Sequence, residues 1–322
     1  MALLKSQIDV AILKCSRRVV NNASAMGVGY NRLLYKVSAM QDPFDFAPKV
    51  PKFTVIGNPI AHSKSPQIHQ MFARQFSMHI EYNTTLGESG GFNQAAQHFK
   101  ASGGQGLNVT VPFKLDAFAL CDQLSQRAEL AGAVNTLWFS DDGKIQGDNT
   151  DGIGMLRDIT QNIGFDVAGK NVLVIGAGGA VRGVLEPLLE AMPASLTVAN
   201  RTEGKAIELA ELFEGVGTII SSSLKALEGS QFDLVINGTA ASLSGELPEI
   251  PKGLCKNQAL AYDMMYAAQP TIFMKWALAD GAAQASDGLG MLVEQAAEAF
   301  SIWNKQFPDT RPVIEALRQG SS

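Results

Sequence analysis

A glycine-rich turn between a buried strand and a helix is the first feature with a chemical meaning. The segment NVLVIGAGGA (171–180) predicts a strand that ends in the turn GAGGA (176–180), with a helix after it. Gly176 allows a tight turn, and Gly178 lets the backbone approach a pyrophosphate at the helix N-terminus. Val181 takes the last position of the usual G-x-G-x-x-G pattern, so a strand–helix turn without a ligand stays an alternative.

The next predicted strand, SLTVANRT (195–202), ends in a cluster that indicates which dinucleotide binds. An NAD site usually has an acidic residue about 20 residues after the glycine turn. Here the strand ends in Asn200, Arg201 and Thr202, and Lys205 follows. A guanidinium stacks on adenine and forms strong hydrogen bonds with phosphate, so the cluster suits a ribose 2′-phosphate. The sequence predicts NADP rather than NAD; an ordinary helix start at Thr202 is the alternative.

A second candidate anion site lies near the start of the alternating region. Ser65 followed by Pro66 predicts the start of a helix, with the serine hydroxyl as its cap and proline as its first residue. Free N–H groups and hydroxyls at such a start also attract anions. Capping and anion binding are compatible at this position.

Strand-like and helix-like stretches that alternate from Phe53 onward must position these residues. The predicted strands are 53–57, 80–85, 105–111, 133–139, 171–175, 195–202, 232–239 and 259–264. The predicted helices are 65–76, 91–101, 125–131, one after Asp151, one from the glycine turn to about Ala191, 289–306 and 311–319. This alternation predicts an α/β protein with parallel sheets and helices on both faces. Periodicity does not decide whether the last helices pack on the first half.

Length, charge and cysteine content exclude several classes of protein. The 322 residues are 46% hydrophobic, enough for two domains, and the net charge of −5 predicts no nucleic-acid surface. No run of about 18 residues lacks charge, so no membrane-spanning helix is predicted. Cys15, Cys121 and Cys255 are widely spaced, which indicates neither a disulfide framework nor a metal site. They fit a reducing compartment, and a cytoplasmic location is predicted.

The first forty residues differ from the rest, because they hold six basic residues and one acidic residue. Residues 41–52 contain three prolines and are typical of a linker. A targeting sequence, a disordered extension or a start placed too early, with Met40 as the true start, are the alternatives. We expect a disordered extension and linker over 1–52, and no site residue before Phe53.

Several further segments, in this order, carry a resemblance to a known family. They are GNPIAHSKSP (57–66), NVTVPFK (108–114), AGAVNT (131–136), GDNTDG (147–152), GAGGA (176–180), NRT (200–202), YDMMY (262–266) and DGLGMLVEQAA (287–297). With these segments the chain resembles the shikimate dehydrogenase family from Phe53 to about Leu317.

The resemblance implies a fold and an activity. The family reduces 3-dehydroshikimate to shikimate, reversibly, with NADPH and without a metal. The implied fold is α/β with two domains: a substrate domain over 53–151, completed by 288–322, and an inserted Rossmann-type NADP-binding domain over 152–287. The implied partner is a small-molecule substrate, with no nucleic acid and no membrane, and a homodimer is compatible with the resemblance.

The resemblance also implies roles for individual residues. Lys114 matches the catalytic acid/base and Asp151 its partner carboxylate. The matching substrate-binding residues are Ser63, Ser65, Asn108, Thr110, Asn135, Asp151, Tyr266 and Gln295. The matching cofactor-binding residues are Gly176, Ala177, Gly178, Gly179, Ala180, Asn200, Arg201, Thr202, Lys205, Asn237, Thr239, Met264, Gly288 and Met291. His62, inside the HSKS segment, is expected to shape the substrate pocket without a catalytic role.

Three other functions are weighed against this one. A quinate/shikimate dehydrogenase paralogue with relaxed cofactor use is opposed by the two serines and the Asn-Arg-Thr cluster. A catalytically silent NADPH-binding protein is opposed by the retention of both Lys114 and Asp151, because binding alone needs no acid–base pair. A folate-type dehydrogenase on a related fold is opposed by the two serines, because its substrate does not require their carboxylate-binding site.

Overall fold

The first of two sheets is built by the segment up to Asp148. In the computed structural model, which describes residues 50–320, this sheet has six strands in the order β2-β1-β3-β5-β6-β4. The strands are β1 (Lys52–Gly57), β2 (Glu81–Leu86), β3 (Gly104–Val109), β4 (Gln123–Leu124), β5 (Thr136–Phe139) and β6 (Ile145–Asp148). Strand β1 runs parallel to both β2 and β3, which places the carboxyl ends of these three strands at one edge of the sheet.

Six helices cover this sheet. They are α1 (Ser65–Gln75), α2 (Phe92–Ala101), α3 (Lys114–Leu120), α4 (Gln126–Ala131), α9 (Leu289–Asn304) and α10 (Arg311–Gln319). Successive strand residues face opposite sides, so Val55 packs with α1, α9 and α10, whereas Ile56 packs with α2, α3 and α4. The last two helices therefore complete the first core, as the resemblance implies.

The second sheet is parallel throughout. Its order is β12-β11-β10-β7-β8-β9, from β7 (Asn171–Ile175), β8 (Ser195–Asn200), β9 (Ile220–Ser223), β10 (Phe232–Asn237), β11 (Cys255–Asp263) and β12 (Gln284–Ser286). Its helices are α5 (Asp151–Arg157, continued by a π-helical turn at Asp158–Asn162), α6 (Gly179–Glu190), α7 (Glu203–Leu212) and α8 (Ile272–Ala279), with 3₁₀ turns at Lys225–Leu227 and Ala240–Ser244.

Both faces of the second sheet are buried, as expected for parallel strands. Val172 and Val174 of β7 pack in a cluster with α5, α6 and α7, and Leu173 and Ile175 face a second cluster that includes α8. The apolar run VLVI (172–175) follows from this burial on both sides. The fold class is α/β with two sheets, as predicted.

The first sheet corrects one expectation, because it is mixed rather than parallel. Strand β5 runs antiparallel to β3 and β6, and β6 was not predicted. Residues 136–148 form a hairpin whose turn is closed by Ser140, which donates its N–H to the Lys144 carbonyl at 3.0 Å. Gly143 takes φ +83° in that turn. Because this turn is tight, a short segment can form two adjacent antiparallel strands.

The start of α1 corrects a second expectation. Lys64 is the residue before the helix, and Ser65 is the first helical residue rather than its side-chain cap. The Ser63 hydroxyl accepts the Ser65 N–H at 3.3 Å instead. A serine one position before the helix boundary at Lys64 therefore takes the role that the sequence assigned to Ser65.

Other differences concern short elements and the chain ends. The sequence did not predict α3, α7, α8, β4, β6, β9 or β12, and strand β5 begins at Thr136 rather than at residue 133. Lys52, assigned to the linker, is the first residue of β1. The remaining expectations for residues 1–49 lie outside the described residues. Within residues 50–320, no helix combines the length and apolar composition that a bilayer crossing requires.

Candidate active site

A cavity of about 290 Å³ lies at the carboxyl ends of β1 and β3. The first turns of α1, α3, α5 and α9 and the loop after β11 contribute to its wall. Its polar wall residues are His62, Ser63, Ser65, Asn108, Thr110, Lys114, Asn135, Asp151, Tyr266 and Gln295. The structure thus brings together every residue predicted for catalysis or substrate binding, together with His62.

An ammonium–carboxylate pair lies in this cavity. Lys114 is the first residue of α3 and Asp151 is the first residue of α5, so two helix starts meet here. The Lys114 Nζ donates to the Asp151 Oδ2 at 2.5 Å, and both side chains are less than one-third exposed. Partial burial strengthens such a pair and leaves the ammonium accessible from the cavity.

Asn135 fixes the other side of the carboxylate. Its Nδ2 donates to the Asp151 Oδ1 at 2.9 Å, and its Oδ1 accepts the Thr150 N–H at 2.9 Å. The Asn135 Nδ2 also approaches the Gln295 Oε1, at 3.4 Å, from helix α9. Each oxygen of Asp151 therefore has a donor, which holds the carboxylate in one orientation before any ligand binds.

Two serines at the start of α1 form the anion-binding part of the cavity. Ser65 is buried and Ser63 is half-buried, and both line the wall. Helix α1 has eleven residues, so the N–H groups of its first turn carry the positive end of its dipole. The two hydroxyls, at the positive end of the helix dipole, suit a carboxylate.

Tyr266 and three nonpolar residues form the wall on the side of the second sheet. Met264, Gly288 and Met291, which were predicted to contact a cofactor, line the same cavity as Lys114. A side chain at Gly288 would place its Cβ 2.3 Å from the Met264 carbonyl oxygen, so only glycine fits there. Burial and the nearby Asp287 carboxylate raise the pKa of Tyr266, so its phenol stays a hydrogen-bond donor at neutral pH.

A second cavity, of about 580 Å³, lies at the carboxyl ends of the second sheet. Gly176, Asn200, Arg201 and Thr239 line it, as predicted from the sequence. Ser223 and Lys225 also line it and were missed. Ser223 ends β9, so recognition of that short strand is the signal that could have found it.

The glycine turn has the features that a dinucleotide pyrophosphate needs. Gly176 adopts φ +112°, a conformation that side chains disfavour. At Gly178 and Gly179, no atoms lie within 4 Å of the point that a Cβ would occupy, so the start of α6 is open to a ligand. Ala177 is half-buried and Ala180 exposed beside them. These residues fit the phosphates of NADP.

Three residues predicted to bind the cofactor are not among the described residues that line the second cavity. Thr202 and Lys205 are exposed, and neither belongs to the described residues that line the second cavity. Asn237 is fully buried, and its Oδ1 accepts from the Thr239 N–H at 3.1 Å and from the Thr239 hydroxyl at 2.8 Å. Its Nδ2 donates to the Asp263 Oδ1 at 2.9 Å. Asn237 therefore orients the Thr239 loop rather than reaching the cavity.

The two sheets and their cavities define a class of protein. A parallel sheet with a glycine turn for a dinucleotide lies beside a cavity that holds an ammonium–carboxylate pair. This combination is that of a two-domain, dinucleotide-dependent dehydrogenase.

Comparisons with known proteins give the family within that class. Residues 55–137 match the shikimate dehydrogenase substrate-binding domain, 158–245 match shikimate / quinate 5-dehydrogenase, and 288–318 match the shikimate 5′-dehydrogenase C-terminal domain. A shikimate dehydrogenase (NADP(+)) of Cellvibrio japonicus is 54% identical over 267 residues, which cover 83% of this chain and 96% of that protein. The chain belongs to the shikimate dehydrogenase family.

Solved structures agree with this assignment. The crystal structure of an Ael1 enzyme from Pseudomonas putida has a TM-score of 0.79 at 46% identity, covering 83% of this chain and 98% of that one. A shikimate 5-dehydrogenase from Thermus thermophilus, in complex with NADP(H) and shikimate, has a TM-score of 0.74 at 32% identity. That match covers 84% of this chain and 99% of the other.

Proposed function

We propose that this chain catalyses the reversible, NADPH-dependent reduction of 3-dehydroshikimate to shikimate. The observation that carries the proposal is the Lys114–Asp151 pair in a cavity that Ser63 and Ser65, at the N-terminus of α1, also line. The relatives named shikimate dehydrogenase (NADP(+)) support both the substrate and the cofactor.

Lys114 acts as the acid in the direction of reduction. Bound NADPH supplies the hydride to the carbonyl carbon of the substrate. Negative charge then develops on the carbonyl oxygen, where the Lys114 ammonium stabilises it and donates a proton. In the reverse direction the neutral amine of Lys114 accepts the hydroxyl proton.

Asp151 keeps the acid in place. One carboxylate oxygen accepts from Lys114 and the other accepts from Asn135, so the ammonium is held toward the cavity. Asp151 can also accept from a substrate hydroxyl, which orients the carbonyl next to Lys114.

The remaining polar wall residues bind the substrate. The hydroxyls of Ser63 and Ser65, at the N-terminus of α1, bind its carboxylate. The ring hydroxyls contact Asn108, Thr110, Asn135, Tyr266 and Gln295. A site that hydrogen-bonds several hydroxyls rejects analogues that lack them, because its own polar groups would stay unpaired.

The second cavity and the wall between the sheets hold the cofactor. The turn Gly176 to Ala180 binds the pyrophosphate, and Asn200, Arg201, Thr202 and Lys205 surround the 2′-phosphate. Thr239, oriented by Asn237, lies beside Gly176, and Met264, Gly288 and Met291 contact the nicotinamide. The last three line the substrate cavity, which is where a hydride donor must lie.

The alternative with a specific observation in its favour is a paralogue that also uses quinate. One matched family model covers both substrates by its description. The deciding experiment follows the absorbance of reduced nicotinamide with shikimate or quinate, each with NADP or NAD. Rapid reduction with shikimate and NADP alone supports the proposal. Comparable rates with quinate or NAD contradict it in favour of the paralogue, and folded protein without activity favours a silent binding protein.

Three further properties belong to this proposal. The substrate domain comprises 53–151 and 288–322, and the NADP domain comprises 152–287. The protein works in the cytoplasm, where free thiols such as Cys121 and Cys255 stay reduced. Light scattering of the purified protein distinguishes a monomer from a homodimer.

A further inference from the structure

Three aromatic residues, which do not line the substrate cavity, pack against one another at the core of the first sheet. The ring of His69 in α1 stacks on Tyr82 of β2 and on Trp303 of α9, with ring centroids 4.4 Å and 5.3 Å away, and the Tyr82 and Trp303 centroids are 6.4 Å apart. His69 is fully buried and Tyr82 is nearly so. No sequence motif singled out Tyr82, and this cluster has no part in the function proposed so far.

The Tyr82 hydroxyl is in contact with a residue of the cavity wall. It donates to the Asn108 Oδ1 at 2.7 Å. The two residues belong to β2 and β3, which flank β1 on opposite sides, so the tyrosine side chain reaches across the central strand. The contact is buried, and a buried hydrogen bond of this length is well formed.

The other half of the Asn108 amide is also occupied. Its Nδ2 donates to the Asn135 carbonyl oxygen at 3.2 Å and to the Thr136 Oγ1 at 3.2 Å. An amide nitrogen has two N–H donors, and an amide oxygen has two lone pairs. Both donors of Asn108 are therefore used within the protein, whereas its oxygen has one lone pair left.

We propose that Tyr82 is a positioning residue that fixes the Asn108 amide, so that its oxygen faces the cavity as a hydrogen-bond acceptor for a substrate hydroxyl. Without the Tyr82 hydroxyl the amide is held only from its nitrogen side, by the Asn135 carbonyl and the Thr136 hydroxyl. The inference rests on the proposed function, because it assigns one contact within the substrate site.

His69 gives the tyrosine a rigid and uncharged support. Burial lowers the pKa of His69 to about 3, so the imidazole is neutral at the pH of any ordinary assay. Neither ring nitrogen has a hydrogen-bond partner among residues 50–320. The ring therefore acts through stacking, which sets the plane of Tyr82 and the direction of its hydroxyl.

The test compares two buried tyrosines. Tyr82→Phe removes the hydroxyl and keeps the stacked ring. Tyr262→Phe is the matched control, because Tyr262 is also fully buried and donates at 2.7 Å, but to Asp158 behind the second sheet. The dissociation constant of shikimate is measured by calorimetry for the full chain, and the melting temperature is measured for each variant.

We expect Tyr82→Phe to weaken shikimate binding about tenfold, the effect of one hydrogen bond, and Tyr262→Phe to leave it unchanged. Both variants lower the melting temperature, since each loses a buried hydrogen bond. Equal shikimate affinity in wild type and folded Tyr82→Phe overturns the inference. Failure of the wild-type protein to bind shikimate instead overturns the proposed function.

Two further variants separate positioning from general loosening of the fold. In an Asn108→Ala background, Tyr82→Phe has no further effect on shikimate affinity if it acts through Asn108. An undiminished tenfold loss in that background contradicts the inference. If Tyr82→Phe does not fold, Thr136→Val tests the same amide. The Thr136 hydroxyl accepts from the Asn108 nitrogen and also donates to the Asn135 Oδ1, so the variant is measured in the wild-type and the Asn108→Ala backgrounds. We expect a loss of shikimate affinity that is smaller in the Asn108→Ala background, and an equal loss in both backgrounds contradicts the inference.

Discussion

The substrate cavity and the adenosine end of the cofactor cavity are built in different ways. In the substrate cavity, Lys114, Asp151 and Asn135 are partly or fully buried and hydrogen-bonded to one another. At the adenosine end, Arg201 and Lys205 are exposed after β8. The polar groups of the first site are held by one another, whereas the cations of the second are exposed to solvent.

This difference follows from what each ligand needs. A proton transfer requires reacting atoms within hydrogen-bond reach, so the groups must be held closely by their neighbours. A phosphate carries two charges and is recognised by any well-placed cation, so exposed and mobile side chains are sufficient. Substitutions in the two regions should accordingly affect different steps.

The largest effect is expected at Lys114. Lys114→Ala removes the proposed proton donor, and we expect it to lower kcat by roughly 10²–10⁴-fold, with little change in the affinity for shikimate. Steady-state kinetics and a separate binding measurement check both parts. Lys144→Ala, which removes an exposed lysine from the β5–β6 hairpin, is the control. Near wild-type turnover in Lys114→Ala shows that another group donates the proton.

An intermediate effect is expected at Arg201. Arg201→Ala removes the proposed charge-assisted contact with the 2′-phosphate, and its expected effect is to weaken NADPH binding roughly 10–100-fold and NADH binding hardly at all. Lys205→Ala is the comparison, because Lys205 lies outside the cavity wall, and we expect a loss of only a few-fold. Fluorescence titration with each cofactor measures both. Equal losses for NADPH and NADH would show that Arg201 does not read the 2′-phosphate.

The framework around the substrate cavity offers a test of rigidity. Glu298 of α9 accepts from Arg127 at 2.8 Å and from Arg157 at 2.6 Å, and Arg127 also binds Asp148 at 2.6 Å. Glu298→Gln removes the charge from this largely buried network. We expect the free energy of unfolding to fall by about 2 kcal/mol at pH 7, measured by urea denaturation. Glu208→Gln on the exposed face of α7 is the control.

The same substitution predicts a dependence on pH. Burial by itself raises the pKa of Glu298, but the hydrogen bonds and charges of Arg127 and Arg157 outweigh it and lower the pKa. An acid whose pKa is lower in the folded than in the unfolded protein stabilises the folded state above its unfolded pKa, here about 4.5. This stabilisation is lost as the pH falls through the pKa of the folded state. The difference in the free energy of unfolding between wild type and Glu298→Gln should therefore become smaller below about pH 4.5. A constant difference would mean that Glu298 does not titrate with the network.

The alternation of strands and helices made the fold class and the cofactor type predictable. NVLVIGAGGA has a strand period, a turn and a helix start in one segment, and the structure and the relatives confirm the Rossmann-type sheet and NADP. The mixed first sheet was not predictable, because β6 has four residues and its antiparallel pairing depends on a hairpin. Helix α3 has seven residues, too few for a clear helical period.

The site was predictable only where several motifs occurred together. Lys114 and Asp151 taken alone resemble surface residues, and their motifs drew attention to them. Asn237 is a polar residue at the end of a strand, where a cofactor contact is expected. It is buried instead, and it donates to Asp263 of the neighbouring strand, which its own segment does not reveal. Tyr82 was missed because its contact with Asn108 depends on the order of three strands, which no local pattern encodes.

The path of the chain between the two sheets has a consequence for biosynthesis. The core under β1 includes Leu289, Val293, Phe300 and Leu317, which are translated after the entire second sheet. On the ribosome, the NADP-binding half can therefore become compact while the substrate half still exposes apolar surface. Contacts between such distant segments form slowly, and the exposed strands are the part of the nascent chain most in need of protection from aggregation.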